Sequence, residues 1–595
     1  MSNSEITLSE LLFKALEDFP SGLFSSTKRN GKWYPVKLGE FKKRVKHTAL
    51  GLHKLGIKAG DKVSLHAENS TEWLICDLAM QSIGVVSVPI YTTQHGDQIK
   101  YILENSDAKI HFVSNDDLFA ETKPFIDEVE NIQAVVTFFG SKHDHLKELT
   151  EIEKLGEELD KQNPELYSEL RSRVNSDDLV TLIYTSGTTG MPKGVMLTQN
   201  NIASNVIASL EILPLPDEEF YSKNVLSYLP LSHVFERMVD YMYICRGCKI
   251  HYIEAVEDIR EDFQEIKPFF MATVPRLLEK IYTGVKVKGQ ELSGIKKNLY
   301  YWAIYLTESY DPENPPKGLD ALKHKIADWT VYSKIRELFG GRFRGLVSGG
   351  AALTPEIFKF MNAIGFMSVQ GYGLTETSPV IAAHSPGNMR VGSTGKPLRG
   401  VEIKIADDGE IITRGPNVMA GYYNDEEKTR EVFTEDGWFK TGDIGKIDDD
   451  GFLYITDRKK SMFKLSTGKY VAPQNIENQI SSSGFIEQVV VIGYQRKFCS
   501  ALIVPAYENV VKRLKRDDYE PGKPYSSDEK VRSLIQQEVD KANKILSPWE
   551  TVKRFELLEE PLTIESGDLT PTLKVKRPVV LQKFKAKIES MYQED

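Results

Sequence analysis

The sequence predicts an α/β protein built as two unequal domains. Three observations carry that prediction. The 595 residues are too many for one hydrophobic core. From residue 30 to 180, helical and strand-like periodicities alternate, the pattern of βαβ units in largely parallel sheets. From residue 461 on, that alternation gives way to one helix, two strands and a long polar helix. The expected plan is a large N-terminal domain over 1–459, with αβ-layered, mostly parallel sheets and a β-barrel-like subdomain. A boundary at Lys460 follows, then a small α+β C-terminal domain over 461–595.

The elements justify this in order. Leu8, Leu11, Leu12, Ala15, Leu16 and Phe19 share one helical face. That N-terminal stretch has no basic leader and no long apolar centre, so a secretory signal is not expected. Residues 41–56 form an amphipathic helix, 62–66 a strand, 71–83 a helix and 84–90 a buried strand; strand signals recur at 109–113 and 134–138. Leu179–Tyr184 is rich in β-branched and aromatic residues and reads as a strand, followed by a helix over 198–213 and a strand over 225–229. Residues 284–340 differ. They begin basic (Lys286, Lys288, Lys296, Lys297), pass an aromatic helix (Tyr300, Tyr301, Trp302, Tyr305) and contain a breaker over 311–316. Strands ending in small or glycine-rich loops follow at 345–352 and 369–377, and short strands with turns fill 391–460. The last part reads as a helix over 473–482, strands over 488–493 and 501–505, and a helix over 528–546. There is no solenoid repeat, no low-complexity tract, and no heptad or apolar stripe to support self-association.

Hydrophobic residues are 41% and charged residues 27%, the balance of a soluble globular protein. A net charge of −10 disfavours nonspecific nucleic-acid binding. No apolar run approaches the roughly 18 residues of a membrane span. Four cysteines in so long a chain fit a reducing compartment, so a cytoplasmic location is expected. Cys245 and Cys248 form a lone CxxC pair with apolar flanks and read as packed core rather than a metal site.

The chemistry centres on Tyr184-Thr185-Ser186-Gly187-Thr188-Thr189-Gly190-Met191-Pro192-Lys193-Gly194. Glycines turn backbone N–H groups toward an anion, hydroxyls add donors, and Lys193 adds a charge. A loop of this composition after a strand is built to hold phosphate. It is not a Walker A loop, because Pro192 precedes the lysine and Gly194 follows it. Downstream, Gln370-Gly371-Tyr372-Gly373-Leu374-Thr375-Glu376 joins an aromatic, two glycines, a hydroxyl and a carboxylate. Without a third glycine it is not a dinucleotide fingerprint. Glu376 is a hard oxygen donor suited to Mg²⁺.

YTSGTTGMPKG, PLSHVFE, SGGAA, QGYGLTET, the TGD triplet at 441–443 and DRKK at 457–460 stand in the order found in the adenylate-forming, acyl-activating enzymes. From about residue 30 to residue 580 the chain resembles that family, most closely its long-chain fatty acid–CoA ligases. The resemblance implies ATP and CoA as co-substrates, Mg²⁺ as cofactor and a fatty acid as the third reactant. It places Thr185, Ser186, Gly187, Thr188, Thr189, Gly190 and Lys193 at the phosphates, with Thr185 and Glu376 on Mg²⁺. Gly349, Gly350 and Ala351 would border the adenine and acyl pocket. Gln370, Gly371, Tyr372 and Gly373 would line the adenine, with Tyr372 stacking, and Thr375 would donate to the α-phosphate. His233 would stand at the acyl site; the alternative is a histidine hydrogen-bonded in the core. Asp443 would accept both ribose hydroxyls, as an acceptor-only carboxylate suits a vicinal diol. Arg458 would contact ribose and phosphate.

The resemblance also implies a mobile small domain rotating about Lys460, with Lys464, Gly468 and Lys469 serving the thioester step. Lys574 would be the catalytic lysine. Most relatives have Ser-Gly before that lysine, whereas Thr572-Leu573 stands here, which keeps Lys576 as the competing candidate. The 284–340 insertion is similar to that of the long-chain branch. Its lysines and aromatics suit a peripheral contact at the inner membrane face, the alternative being a solvated surface over a packed helix. A homodimer is left open by the relatives. The expected activity is a two-step acid–thiol ligation through acyl-AMP. The competing readings are an acyl-AMP ligase serving a carrier protein, a coumarate-type aryl-CoA ligase, and a nucleotide-binding scaffold without chemistry.

Overall fold

The computed structural model describes residues 6–94, 96–143, 146–185, 191–213, 217–459, 462–514, 525–563, 566–569 and 575–593. The chain divides into two compact units. The first comprises 1–404, 412–440 and 449–453, and the second 405–411, 441–448 and 454–595.

The first unit contains two large sheets. One has eight strands in the order Gly421–Tyr422, Lys193–Thr198, Leu179–Thr185, Val86–Ile90, Lys62–His66, Ala108–Val113, Ala134–Thr137, Lys147–Glu148. Its centre is parallel and its first three strands are antiparallel neighbours. The strand Val86–Ile90 is buried along its whole length, as a central parallel strand must be. Helix Thr71–Ser82 is buried on every side and is capped by Ser70, whose hydroxyl accepts from the Trp73 N–H. Helices Leu38–Lys54 and Leu149–Gln162 cross at two glycines. A Cβ on Gly51 would lie 2.1 Å from the Ile152 carbonyl oxygen, and one on Gly156 1.8 Å from that of His47. Only a missing side chain at both positions lets these backbones meet.

The second sheet has nine strands: Lys396–Pro397, Val380–Ala383, Met367–Gly373, Gly345–Ser348, Phe270–Thr273, Asn224–Ser227, Lys249–Tyr252, Leu23–Arg29, Lys32–Lys37. Its middle is parallel, with antiparallel strands at both edges. The 23–37 hairpin was not anticipated. It turns at Asn30-Gly31, where φ is 49° and 70°, the primed turn that matches strand twist. Pro35 stands in its outer strand, where a missing N–H costs least.

The insertion folds as helices Pro275–Glu291, Gly294–Glu308 and Gly318–Ala327, a π-turn over Asp328–Tyr332 and a short helix Ser333–Glu337. Tyr282, Tyr300, Ala303, Ile304, Val331 and Tyr332 point into the core. Leu319, Leu322, Ile326 and Trp329 point out; Leu319 is 78% and Trp329 83% exposed. Their spacing of 3, 4 and 3 makes one apolar stripe on one helical face, where the sequence reading had found none.

The short strands expected over 391–460 include a four-stranded sheet, Glu402–Ile405, Glu410–Arg414, Phe439–Ile447 and Leu453–Arg458 in that order. The chain passes between the two units within it. The second unit is α+β. Strands Ile486–Ile492, Cys499–Pro505 and Val552–Leu557 form its sheet, antiparallel then parallel. Helices Pro473–Ser481 and Glu529–Asn543 pack against one set of its side chains, and Val580 and Ile588 against the other. The long polar helix buries Val531, Ile535, Val539 and Ala542, a narrow face that explains its polar composition.

Candidate active site

Strand Leu179–Thr185 and strand Lys193–Thr198 pair so that Thr185 faces Lys193 across the ladder. The intervening Ser186, Gly187, Thr188, Thr189 and Gly190 lie outside the described residues. Gly421–Tyr422 adds to the far side of the Lys193 strand, with Tyr422 opposite Val195. The Lys193 ammonium sits 5.1 Å from the centroid of the Tyr422 ring, a cation–π contact. The Tyr422 hydroxyl donates to Glu376 Oε1 at 2.9 Å. Burial, and then the neighbouring Glu376 carboxylate, push the Tyr422 phenol well above its ordinary pKa, so it stays a donor. Tyr422 therefore joins the phosphate-loop lysine to the proposed metal carboxylate. It was absent from the sequence-derived set.

Glu376 stands in a 3-10 turn, Thr375–Thr377, after strand Met367–Gly373. The turn is fixed from several sides. The Thr377 hydroxyl donates to the Pro379 carbonyl at 2.5 Å. The Asn417 amide donates to the Thr377 and Val380 carbonyls at 3.0 and 3.2 Å. Asn205 both donates to the Val380 carbonyl, at 2.7 Å, and accepts from its N–H, at 3.1 Å. Gly373 is required by close approach, since a Cβ there would lie 1.8 Å from the Pro379 oxygen. Among the described residues, the second Glu376 oxygen has no partner. Glu376 and the Thr185 hydroxyl are each hard oxygen donors of the kind that Mg²⁺ takes. No three His, Cys, Asp or Glu side chains gather as a metal cage among the described residues.

The other first-unit candidates follow neighbouring strands of the nine-stranded sheet. His233 caps helix Val234–Cys245, its Nδ1 accepting from the Phe235 N–H at 3.1 Å. It is half-buried rather than a core histidine. Gly349, Gly350 and Ala351 follow strand Gly345–Ser348, and Gly349 packs against the Phe235 ring, 3.0 Å from where its Cβ would be. Gln370 is buried, its N–H donating to His384 Nδ1 at 3.3 Å; Gly371 and the buried Tyr372 pair with Ala383 and Ala382. These loops leave the C-terminal ends of parallel strands, the edge where open α/β sheets bind ligands.

In the second unit, Asp443 is buried on strand Phe439–Ile447, and Arg458 Nε lies 3.3 Å from its Oδ1. Asp457 is pushed up to about 6, by burial first. Lys459 is occupied by Asp408 and Glu410 at 2.5 and 2.7 Å. Lys464 stands in the Phe463–Lys464/Tyr470–Val471 hairpin, over the Tyr470 ring at 5.4 Å. Gly468 has φ 86° in its turn, and Lys469 lies over Trp549 at 5.0 Å. Lys460 and Lys574 lie outside the described residues. Lys576 caps helix Arg577–Lys583, its N–H donating to the Asp568 carbonyl at 2.8 Å. Cys245 and Cys248 are free thiols raised by burial, Cys245 to about 12.

Known proteins bear on this arrangement. Residues 27–423 match the AMP-binding enzyme family, and residues 460–595 the AMP-binding enzyme C-terminal domain. The chain is 34% identical to the long-chain-fatty-acid–CoA ligase FadD15 of Mycobacterium bovis, over 98% of this chain and 97% of that protein. It is 32% identical to the peroxisomal long chain acyl-CoA synthetase 7 of Arabidopsis thaliana, over 99% of this chain and 86% of that protein. The adenylation domain of a carboxylate reductase from Mycobacterium chelonae shares its fold, with a TM-score of 0.75 at 24% identity, covering 99% of this chain and 91% of that one. With a family match over most of the first unit, a second over the C-terminal part and full-length relatives above the level of chance likeness, the chain belongs to the AMP-binding enzymes.

Proposed function

We propose that this chain is a long-chain fatty acid–CoA ligase. The geometry that carries the reading is the link from the phosphate-loop strands through Tyr422 to Glu376. The acid class rests on the likeness to long-chain ligases along the whole sequence.

In the first step a fatty carboxylate oxygen attacks the α-phosphorus of ATP. The bond to the bridging oxygen of the β-phosphate breaks, and pyrophosphate leaves with acyl-AMP remaining. The reaction brings anions together, and the substrate supplies the nucleophile, so positioning and charge are what the chain contributes. Lys193 and the loop before it hold the polyphosphate. Thr185 and Glu376 would hold Mg²⁺, which supplies neutralising charge on the phosphate oxygens. Tyr422 positions Glu376. His233 faces the acyl side, and Gly349–Ala351 with Gln370–Gly373 leave room for the adenine. Asp443, held by Arg458, accepts the ribose diol. Lys574 adds the catalytic charge. In the second step the small domain, turning at Lys460, presents the Lys464–Lys469 hairpin. The CoA sulfur then attacks the acyl carbonyl, the carbonyl–phosphate oxygen bond breaks, and AMP leaves as the thiol gives up its proton.

The apolar stripe of the insertion is the proposed contact with an anionic lipid surface, where fatty acids partition. Lys323 and Lys325 stand on either side of it, which suits lipid headgroups better than a second copy of the same lysine-flanked face. No described helix is long and apolar enough to cross a membrane.

The activity is tested by AMP release from ATP with carboxylates from acetate to oleate and with coumarate, each with and without CoA. CoA-dependent turnover that peaks with long aliphatic acids is expected. Adenylate formation without CoA turnover would assign the chain to a carrier-protein acceptor instead, and turnover confined to coumarate to the aryl branch.

A further inference from the structure

At the opposite edge of the nine-stranded sheet lies a cavity of about 1130 Å³. Asn224, Lys249 and Phe269 bring it to the N-terminal ends of three parallel strands, and Arg344 and Gly365 to two more. Its lining carries six cations, Lys223, Lys249, Lys267, Arg336, Arg342 and Arg344, against three carboxylates, Glu218, Glu219 and Asp328. Arg336 is satisfied by Asp328 and by the Ile364 carbonyl. The other five cations make no ion pair among the described residues. Collecting unpaired like charges costs electrostatic free energy, and a chain of net charge −10 has carboxylates in excess to pair them. The reaction loops leave the other ends of these strands, so the proposed chemistry does not use these side chains.

We infer that this cavity is a binding site for a phosphorylated anion, separate from the ATP and CoA sites. Guanidinium groups at Arg342 and Arg344 suit bidentate contact with phosphate oxygens, and the lysines add point charges. The volume suits a multiply phosphorylated small molecule or a phospholipid headgroup rather than a single inorganic ion.

The test uses the full chain preloaded with AMP and palmitate, to occupy the reaction site. Inositol hexakisphosphate is titrated by calorimetry, and phosphatidylcholine vesicles with and without phosphatidylglycerol are tested by sedimentation. The exposed Lys223→Glu/Arg342→Glu/Arg344→Glu variant reverses the cavity's field. Lys37→Glu/Lys54→Glu/Lys58→Glu makes the same charge change on exposed lysines outside its lining. The expected result is binding weakened at least about tenfold by the first set and little by the second, and weakened by salt. Preference for the soluble polyphosphate assigns a free metabolite; preference for phosphatidylglycerol vesicles assigns a headgroup. Equal losses in the two variants, or no binding by the wild type, would overturn the site. Melting temperatures establish that each variant folds, and turnover of the fatty acid stays at wild-type level in both, so a failure here leaves the ligase reading standing.

Discussion

Replacing Tyr422 by Phe removes one hydroxyl and little else. The ring stays in place, and with it the contact to Lys193 at 5.1 Å. What is lost is the 2.9 Å donor bond to Glu376 Oε1. A hydrogen bond to a charged group is worth about 1.5–3 kcal/mol, and loss of a group that orients a metal-binding side chain typically costs about 10–100-fold in metal affinity or activity. The two figures agree, since each tenfold is about 1.4 kcal/mol. Tyr422→Phe is therefore expected to slow adenylation about 10–100-fold. It should move the Mg²⁺ dependence to higher concentration and leave the Michaelis constant for fatty acid near its wild-type value. The assay is fatty-acid-dependent pyrophosphate exchange across a Mg²⁺ titration, run on Tyr422→Phe, Glu376→Gln and the double variant. If Tyr422 acts through Glu376, adding its substitution to Glu376→Gln costs little more. A wild-type Mg²⁺ curve for Tyr422→Phe, or additive losses in the double variant, would refute the reasoning.

Gly373→Ala drives a Cβ to 1.8 Å from the Pro379 oxygen, an all-backbone clash; it should cost about 1–3 kcal/mol in urea unfolding and lower adenylation by displacing Glu376. Lys574→Ala should abolish adenylation while Lys576→Ala, whose backbone caps a helix, spares it, as read by pyrophosphate exchange; the reverse would move the catalytic charge to Lys576. Leu319→Ser/Trp329→Ser removes two exposed members of the apolar stripe and should reduce sedimentation with phosphatidylglycerol vesicles at least about tenfold without lowering the melting temperature. Asp240 is raised to about 7 by burial, so between pH about 4 and about 7 the folded chain holds a proton that the unfolded chain has released. That contribution to stability is full near pH 4 and fades as pH rises toward 7; Asp240→Asn should remove it, visible as a flatter pH dependence of the urea midpoint.

The sheets of the first unit were legible because their signals are local. Glycine–hydroxyl loops announce themselves in ten residues, and the strands before them are short runs of β-branched residues. The Asn30-Gly31 hairpin carried an equally local signal and went unread because its outer strand holds a proline and few alternating apolar residues. Tyr422 was not readable. It meets Glu376 across 46 residues, from a strand two residues long that pairs with Val195 and Met196. Gly51 and Gly156 were likewise silent, since a glycine inside an amphipathic helix has no signature until the crossing helix is known. The stripe at 319–329 failed for another reason. Its helix is ten residues long, and an apolar spacing in so short a piece is expected to face the core.

Why the chain gathers cations where it does follows from its excess of acid. Three anionic reactants must be held by a protein whose net charge repels them, so positive charge has to be local. Among the candidate site residues this is done sparingly: in the first unit Lys193 rests on an aromatic face, and in the second unit Arg458 rests on a carboxylate, so neither stands as a bare charge. The cavity at the N-terminal ends of the nine-stranded sheet is different, because five of its six cations make no ion pair among the described residues. Middle strands of this sheet such as Asn224–Ser227 and Gly345–Ser348 are four residues long, about 13 Å at the usual rise, so the two edges are separated by little more than one strand. That distance exceeds the Debye length of about 8 Å at physiological salt, so the field of these mostly exposed cations is largely screened at the other edge. An anion that fills the cavity is accordingly expected to leave the Michaelis constant for ATP near its wild-type value at physiological salt, and the charge-reversed variant to show that same value without any ligand.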